Sequence, residues 1–185
     1  MDTRSARTRS RLQESLFDLA RERGIEHVSI SAIAERAEVN RSTFYQYYAD
    51  KETLLADALD VVAERAYGEL RQGLVFTQEP PQVLVGFLSH IEEHGDLYRS
   101  VFTDPGWGVV LMRLRAKIHE AIVDVAGRDE VMAPRDVPLD VMAAGVAGSI
   151  VGVIGAWLRT DPRPSADVAA LWAWQVILGP PPLPA

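Results

Sequence analysis

The chain has 185 residues and a mass of 20.4 kDa, with 48% hydrophobic and 24% charged residues. These proportions suit a folded globular protein of one or two small domains and exclude a disordered chain. Cysteine is absent, which excludes disulfides, thiolate metal sites and thiol nucleophiles. The first residues are polar and basic, so we expect no secretory signal.

The net charge of −7 is unevenly distributed along the sequence. Residues 1–51 carry a net charge of +1, whereas residues 52–185 carry −8. Within the first eleven residues a single acidic residue, Asp2, accompanies four arginines: Arg4, Arg7, Arg9 and Arg11. This asymmetry predicts that the leading segment meets a polyanion, the alternative being a solvated tail.

Apolar residues recur at spacings of three and four along most of the chain, and no alternating run predicts a strand. The pattern therefore predicts an all-α fold. Ser29, Asn40 and Asp50 each precede a predicted helix and are expected to cap it. The predicted helices cover about residues 6–23, 30–37, 41–48, 51–70, 81–94, 96–102, 107–126, 139–159 and 165–178, with connections at 73–81 and 127–138.

The second and third predicted helices are short and close together, an arrangement typical of a helix-turn-helix. On a helical wheel, Phe44 and Tyr48 lie on one side of the third helix and are expected to face the core. The opposite side presents Ser42, Thr43 and Gln46, flanked by Tyr45 and Tyr47. Small polar side chains and an amide, bordered by phenol hydroxyls, suit a DNA major groove with phosphates on both sides.

Two cations stand at the first positions of predicted helices, Arg41 in the third and Lys51 in the fourth. The helix dipole disfavours a cation there by a few tenths of a kcal/mol to about 1 kcal/mol, whereas it attracts anions. An external phosphate beside each residue would account for both cations. The alternative is that both side chains are simply solvated.

Residues 29–55 read SISAIAERAEVNRSTFYQYYADKETLL and resemble the DNA-binding segment of TetR-family transcriptional regulators. The resemblance begins at about residue 12 and ends at about residue 55. It implies a homodimer with a helix-turn-helix DNA-binding domain at residues 1–50 and a helical ligand-binding and dimerisation domain at residues 51–185. It also implies phosphate contacts by Thr43, Tyr45 and Lys51, and positions at or near bases for Arg41, Ser42, Gln46 and Tyr47.

Two positions depart from the pattern of that family. Glu38 stands in the turn where the family usually has glycine, so it must adopt a conformation that glycine takes more easily. Tyr48 stands where phenylalanine is usual, and its hydroxyl is expected at the edge of the core.

The penultimate predicted helix has no charge for eighteen residues after Asp140. Such a stretch is compatible with a membrane span, but its glycines favour a helix buried at a subunit interface, because they form one stripe that another backbone can approach. The predicted dimer interface combines this stripe with the last helix: Gly145, Gly148, Gly152, Gly155, Trp172 and Trp174. The alternative for both tryptophans is the core of one subunit. They lie two residues apart, so one helix face cannot bury both.

Aromatic and sulfur side chains in the middle of the chain could line a pocket for a mostly apolar effector. The candidates are Tyr67, Phe87, Tyr98, Phe102, Trp107 and Met112. Ordinary core packing is the alternative for each of them.

One motif favours a different class of protein. His90, Glu93 and His94 match H-x-x-E-H, in which two histidines one helical turn apart hold zinc beside a glutamate base. Only His119, Glu120 or scattered carboxylates could supply the further ligand that a metal-dependent hydrolase needs. A helical dimerisation protein that binds no DNA is the third alternative, but it leaves the polar side of the third helix unexplained.

The sequence thus predicts a cytoplasmic, homodimeric, ligand-responsive DNA-binding regulator rather than an enzyme, and a repressor rather than an activator. Its expected partners are a pseudo-palindromic DNA operator, a second copy of itself and a small-molecule effector, with no membrane, metal or cofactor. Nucleotide-binding glycine motifs are absent.

Overall fold

The structure, a computed structural model, describes residues 3–70, 79–127 and 137–179. These ranges hold helices and short 3-10 turns but no strand, which confirms the all-α prediction. The α-helices are α1 (Thr3–Arg23), α2 (Ile30–Arg36), α3 (Arg41–Tyr47), α4 (Lys51–Leu70), α5 (Gln82–Glu93), α6 (Gly95–Thr103), α7 (Gly108–Ala126), α8 (Leu139–Arg159) and α9 (Ala166–Leu178). The 3-10 turns are Ile25–His27 and Pro105–Trp107.

The helix bounds agree with the sequence prediction to within three residues at each end. The largest difference is at α1, which begins at Thr3, so the arginine-rich segment is helical rather than a tail. The connection predicted at 73–81 lies mostly outside the described residues, as does the one predicted at 127–138.

Two of the three predicted N-caps make the expected hydrogen bond. The Ser29 hydroxyl accepts from the Ala32 N–H at 3.2 Å, and a carboxylate oxygen of Asp50 accepts from the Thr53 N–H at 2.7 Å. Asn40 has the extended backbone of a cap residue, but its side chain makes no cap hydrogen bond. The Asn40 side chain is exposed, so water can satisfy the amide without it.

Contacts within the chain divide it into two compact units. The first unit comprises Met1–Val61 and His94–Leu111. In it α1 packs against α2 and α6, and α2 packs against α3. Its buried residues include Leu12, Leu16, Leu19, Ile33, Phe44, Leu54, Leu55 and Tyr98. The domain boundary predicted between residues 50 and 51 separates DNA binding from ligand binding and dimerisation, and it stays a prediction.

The second unit comprises Val62–Glu93 and Met112–Ala185, and in it α9 packs against both α5 and α8. A carboxylate oxygen of Glu92 accepts a hydrogen bond from the Ala166 N–H at 3.1 Å, which joins α5 to the start of α9. The indole N–H of Trp157 donates to the carbonyl of Pro164 at 2.8 Å. These bonds fix the turn between α8 and α9.

Among the described residues α8 is the one helix long and apolar enough to cross a membrane. A third of its most apolar window is buried within the protein. Its buried residues include Ala143, Ala147, Ile154 and Trp157, whereas Gly145 and Gly152 are exposed. The helix therefore has one side in the core of its unit and one side open.

Candidate nucleic-acid interface

A tight turn at Glu38 connects α2 to α3. The Glu38 N–H donates to the Glu35 carbonyl at 3.0 Å, and the Val39 N–H donates to the Ala34 carbonyl at 2.9 Å. Glu38 has φ of 52°, the left-handed conformation that favours glycine. Its carboxylate accepts a hydrogen bond from the Arg11 guanidinium at 2.5 Å, an exposed ion pair that the sequence analysis did not foresee.

The inner side of α3 is formed by Phe44 and Tyr48, and both are buried as predicted. The Tyr48 hydroxyl donates to a carboxylate oxygen of Asp57 at 2.6 Å, and the Gln13 amide donates to the same oxygen at 3.0 Å. Burial, followed by the hydrogen bond to Asp57, raises the pKa of Tyr48 above its usual range. The extra hydroxyl is thus satisfied at the edge of the core, and it anchors the end of α3 to α4 and α1.

The outer side of α3 carries the small polar residues. Ser42 and Gln46 are exposed and Thr43 is half-buried. None of the three hydrogen-bonds to another side chain among the bonds described for α3, so their hydroxyl and amide groups remain available to an outside partner. Gln46 offers both a donor and an acceptor, the pair of groups that reads the edge of an adenine.

Aromatic rings and arginines border this polar surface. Tyr45 is 49% exposed, and the guanidinium of Arg41 lies 6.0 Å from its ring centroid. Tyr47 is half-buried, and the guanidinium of Arg9 lies 5.8 Å from its ring centroid. Each pair holds a cation beside a phenol at one margin of α3, where DNA phosphates would lie if the helix entered a major groove.

Lys51 at the start of α4 is placed differently from Arg41. Its ammonium donates to the carbonyl of Ile25 at 2.9 Å and to that of Val28 at 3.4 Å. It also lies 5.5 Å from the ring centroid of Trp107. The cation that was expected to meet a phosphate is therefore engaged by the protein itself.

The arginines of α1 are also divided between two situations. Arg4 and Arg7 are exposed, whereas Arg9 lies over Tyr47 and Arg11 is paired with Glu38. Arg9 and Arg11 are therefore engaged by side chains of the protein itself. Their contact with phosphates stays a prediction.

Comparison with known proteins identifies this arrangement. Residues 15–58 match the family model described as "Bacterial regulatory proteins, tetR family". These residues are therefore similar to the DNA-binding segment of TetR-family regulators. The chain is 25% identical over 178 residues to the HTH-type transcriptional regulator YxbF of Bacillus subtilis, an alignment that covers 91% of this chain and spans 44% of the length of that relative.

Two solved structures show the same fold over almost the whole chain. FadR of Thermus thermophilus, a TetR-family repressor in complex with lauroyl-CoA, is 22% identical, with a TM-score of 0.64 and coverage of 96% of this chain and 99% of that one. RolR in complex with resorcinol is 26% identical, with a TM-score of 0.56 and coverage of 98% and 97%.

The residues predicted for the dimer interface fall into two groups. Gly145 and Gly152 are exposed, Gly148 is half-buried, and Trp172 is 38% exposed. Gly155 and Trp174 are instead buried within the unit, which corrects the prediction for these two residues. The reason is the rotation of the helices, because α9 turns Trp174 toward the core of its unit and leaves Trp172 on the opposite side.

A row of apolar side chains continues the exposed side of α9. Its members are Val168, Leu171, Trp172, Val176 and Leu178. We call this row, together with the exposed glycines of α8, the α8–α9 surface. The helical period could have separated this row from the buried Ala169, Ala170 and Ala173, because these alanines lie together on another side of the helical wheel.

The six predicted effector residues are dispersed along the chain. Tyr98, Phe102 and Trp107 belong to the first unit, whereas Phe87 and Met112 belong to the second, and the side chain of Tyr67 lies outside the described part of the chain. Tyr98 is fully enclosed, and its burial raises the pKa of its hydroxyl. Met112 is 67% exposed.

The part of the chain that the structure describes has one cavity in each unit that bears on this prediction, and few of the six candidate side chains line them. A cavity of about 380 Å³ in the first unit is lined by Trp107, Lys51, Asp104 and their neighbours, and by none of the other five candidates. A cavity of about 290 Å³ in the second unit is lined mainly by charged side chains of α4 and α7. Neither has the apolar lining that the sequence analysis expected.

The residues of the H-x-x-E-H motif are not all on one helix. His90 and Glu93 lie on α5, which ends at Glu93, whereas His94 precedes α6 and its ring lies 4.7 Å from that of Phe17. TetR-family proteins are transcriptional regulators and not enzymes, so the hydrolase alternative is set aside.

Proposed function

We propose that this regulator binds a pseudo-palindromic operator as a homodimer and represses transcription until an effector releases it. The observation that carries the proposal is the two-sided character of α3. Phe44 and Tyr48 are buried, whereas Ser42 and Gln46 are exposed on the opposite side. A helix fixed to its domain by one side and polar on the other is suited to enter a major groove.

The contacts that we propose for α3 follow from the exposure of its side chains. Ser42 and Gln46 would meet base edges, with Arg41 and Tyr47 at or near bases. Thr43 and Tyr45 would meet phosphates, because hydroxyl groups at the margin of a recognition helix reach the backbone rather than the base pairs. Repeating this arrangement about a two-fold axis would place two recognition helices about 34–36 Å apart, one turn of DNA.

The α8–α9 surface supports the homodimer. Its apolar side chains stay exposed in one subunit, and a contiguous exposed apolar surface is typical of an interface. A Cβ atom added at Gly145 or Gly152 would meet nothing within 4 Å in the subunit. Packing inside one subunit therefore does not require glycine at these positions, whereas close approach of a second copy would. An isologous two-fold contact is the usual arrangement.

The response to an effector is proposed by analogy with the two ligand-bound structures. FadR is in complex with lauroyl-CoA and RolR with resorcinol, which are both organic molecules with an apolar part. We propose a mostly apolar effector, bound by the helices that follow α3. Among the candidates whose side chains the structure describes, Phe87 and Phe102 are half-buried, so each combines contact with the core of its own unit and access from outside. Such a ligand acts through its different affinities for the DNA-binding and released states.

A selection from random double-stranded DNA tests the operator and the dimer together. The protein is expected to enrich an inverted repeat whose half-site centres lie about 10 base pairs apart. Enrichment of a single half-site would contradict the homodimer, and a pool without any enriched sequence would contradict DNA recognition by α3. Repression in the cytoplasm is tested by a reporter placed behind the enriched sequence, whose expression should fall when the regulator is present.

A matched pair of charge reversals shows which surface binds the DNA. Arg41→Glu, at the exposed start of α3, is expected to weaken binding to the enriched sequence about tenfold, because it puts a carboxylate in place of a cation on the surface that faces the polyanionic DNA. Arg159→Glu, at the exposed end of α8, is expected to bind like the unchanged protein. Equal loss in both variants would mean that the recognition surface lies elsewhere.

A further inference from the structure

The amino group of Lys51 bridges three segments of the first unit. We propose that Lys51 and Trp107 are positioning residues that set the orientation of α3, and that Lys51 makes no contact with a DNA phosphate. The inference rests on the proposed function, because it concerns how α3 is held for DNA binding. It replaces the role that the TetR resemblance implied for Lys51.

The hydrogen bonds of Lys51 connect the start of α4 to the turn between α1 and α2. Its two acceptors are the carbonyls of Ile25 and Val28, at 2.9 and 3.4 Å. Both of these residues have buried side chains, so the carbonyls are held in place by the core. A hydrogen bond from an ammonium is stronger than a neutral one, and losing it would leave two carbonyls without this donor.

Trp107 adds a second support on another side of the ammonium. The Lys51 nitrogen lies 5.5 Å from the centroid of the indole, within the range of a cation–π interaction. Trp107 is almost fully buried, so the ring cannot follow a lysine that moves into solvent. It belongs to the turn Pro105–Trp107, which packs against α6, and α6 in turn contacts α1 and the turn Ile25–His27.

The charges around Lys51 also favour its inward position. Glu26, Glu52 and Asp104 line the same cavity as Lys51 and Trp107. Three carboxylates near one ammonium attract it toward the protein and repel a DNA phosphate that would approach it. Moving Lys51 to a phosphate would therefore cost its two hydrogen bonds, the indole contact and this attraction.

The connection from Lys51 to the recognition surface is short. The helix α3 ends at Tyr47, and only Tyr48, Ala49 and Asp50 separate it from Lys51. Because Tyr48 is held by Asp57 and Lys51 by the carbonyls, the C-terminal end of α3 is fixed from both sides. Gln46 and Tyr47 lie at this end. If the contacts of Lys51 were lost, the end of α3 would move more freely, and DNA binding would weaken although no contact to DNA had been removed.

The test measures DNA affinity as a function of salt concentration, at a temperature where every variant is folded. Lys51→Met keeps the aliphatic stem and removes the ammonium, and Trp107→Leu removes the aromatic ring. We expect each to bind the enriched operator about tenfold more weakly, with the slope of log affinity against log salt unchanged. Arg41→Gln is the control, because it removes an exposed cation from the DNA-facing side of α3 and should lower that slope by about 1 per subunit.

Combining the two changes tests the coupling between the residues. If Lys51 and Trp107 act as one support, the double variant is expected to bind about as weakly as either single variant, because the second change removes nothing more. Trp107→Phe keeps an aromatic ring and is expected to recover part of the affinity. It also serves as the milder variant if Trp107→Leu does not fold.

Three results would overturn the inference. A slope that falls by about 1 in Lys51→Met would show a phosphate contact. Unchanged affinity in folded Lys51→Met would show that Lys51 only stabilises the fold, and fully additive losses in the double variant would show that Trp107 acts separately. Failure of the proposed function looks different, because the unchanged protein would then enrich and bind no operator at all.

Discussion

The outer side of α3 and the α8–α9 surface are both exposed in one subunit, but their chemistry differs. The outer side of α3 presents hydroxyls, an amide and a guanidinium, which water can satisfy when no DNA is bound. The α8–α9 surface presents Val168, Leu171, Trp172 and Val176, whose apolar area gains about 25 cal/mol for each Å² that a partner covers. The first surface can stay free and be occupied on demand, whereas the second favours a permanent partner.

The difference has a consequence for regulation. DNA binding of one subunit depends on few side chains, because α3 has only seven residues. Two such helices held together by the α8–α9 surface would bind one operator at high effective concentration. We therefore expect changes on the α8–α9 surface to affect DNA binding more than changes on α3 itself.

The largest effect is expected from Trp172→Glu. The change places a carboxylate at the centre of the apolar row, where a dimer would have to bury it. We expect a monomer in sedimentation measurements and an affinity for the inverted repeat that is lower by at least about 100-fold. Met112→Glu is the matched control, since Met112 is exposed on α7 and not on α8 or α9, and it should remain a dimer.

Gly152→Leu provides an independent check on the same surface. A Cβ at Gly152 meets open space within the subunit, and leucine favours a helix over glycine by roughly 0.5–1 kcal/mol. The subunit should therefore remain as stable or become more stable while the dimer weakens. A dimer of unchanged strength would show that α8 does not approach its counterpart at this glycine.

The second effect concerns base preference. Gln46→Ala removes an exposed amide from the centre of α3, and one well-placed amide contributes about 1–3 kcal/mol of discrimination between bases. Repeating the DNA selection with this variant should yield the same inverted repeat with relaxed preference at one position in each half-site. Ser42→Ala is the comparison within the same surface, and it should relax a different position. If the DNA selected by Gln46→Ala shows the same base preference at every position, Gln46 does not contact a base edge.

The third effect is a uniform loss of affinity in Tyr45→Phe. The substitution keeps the half-exposed ring beside Arg41 and removes only the hydroxyl, so the loss corresponds to one hydrogen bond, about 1 kcal/mol or fivefold in affinity. Titrations with the operator and with unrelated DNA should show the same factor, because phosphates carry no sequence information. A loss confined to the operator would place Tyr45 at a base instead.

The smallest effect is expected in the turn that leads into α3. Glu38→Gly places glycine at a position where the backbone φ is 52°. Because glycine adopts this conformation without strain, the free energy of unfolding should rise by about 1 kcal/mol in chemical denaturation. Glu38→Gln is the control, because it keeps the left-handed backbone and loses only the exposed ion pair with Arg11, worth about 0–1 kcal/mol. If both variants change stability equally, the backbone conformation of Glu38 is not strained.

The same Glu38 variants also test the effect of the Arg11 charge on DNA binding. Both release Arg11, which then adds a positive charge near α3. Both variants should therefore bind DNA somewhat more tightly than the unchanged protein at low salt, and the gain should vanish at high salt, where exposed charges are screened. DNA binding near α3 should therefore depend on salt concentration, whereas a dimer formed through the α8–α9 surface should depend on protein concentration.

The helical wheel of α3 could be drawn from the sequence because the period of a helix is fixed. Once Phe44 and Tyr48 are recognised as apolar neighbours one turn apart, the exposure of Ser42 and Gln46 follows. The capping of α2 by Ser29 is similarly local, since donor and acceptor are three residues apart. The effector candidates had no such local rule, and the structure places them in separate units.

What the sequence by itself determined is the set of properties that depend on neighbours along the chain: helix bounds, the two sides of α3, the left-handed turn at Glu38, and the fact that Trp172 and Trp174 cannot share one face. Tertiary structure alone decided which tryptophan is buried and that the Lys51 ammonium lies against the carbonyls of Ile25 and Val28. The physical reason is that the energy of a side chain with distant partners depends on which groups folding brings beside it, and the spacing of residues in the sequence does not contain that information.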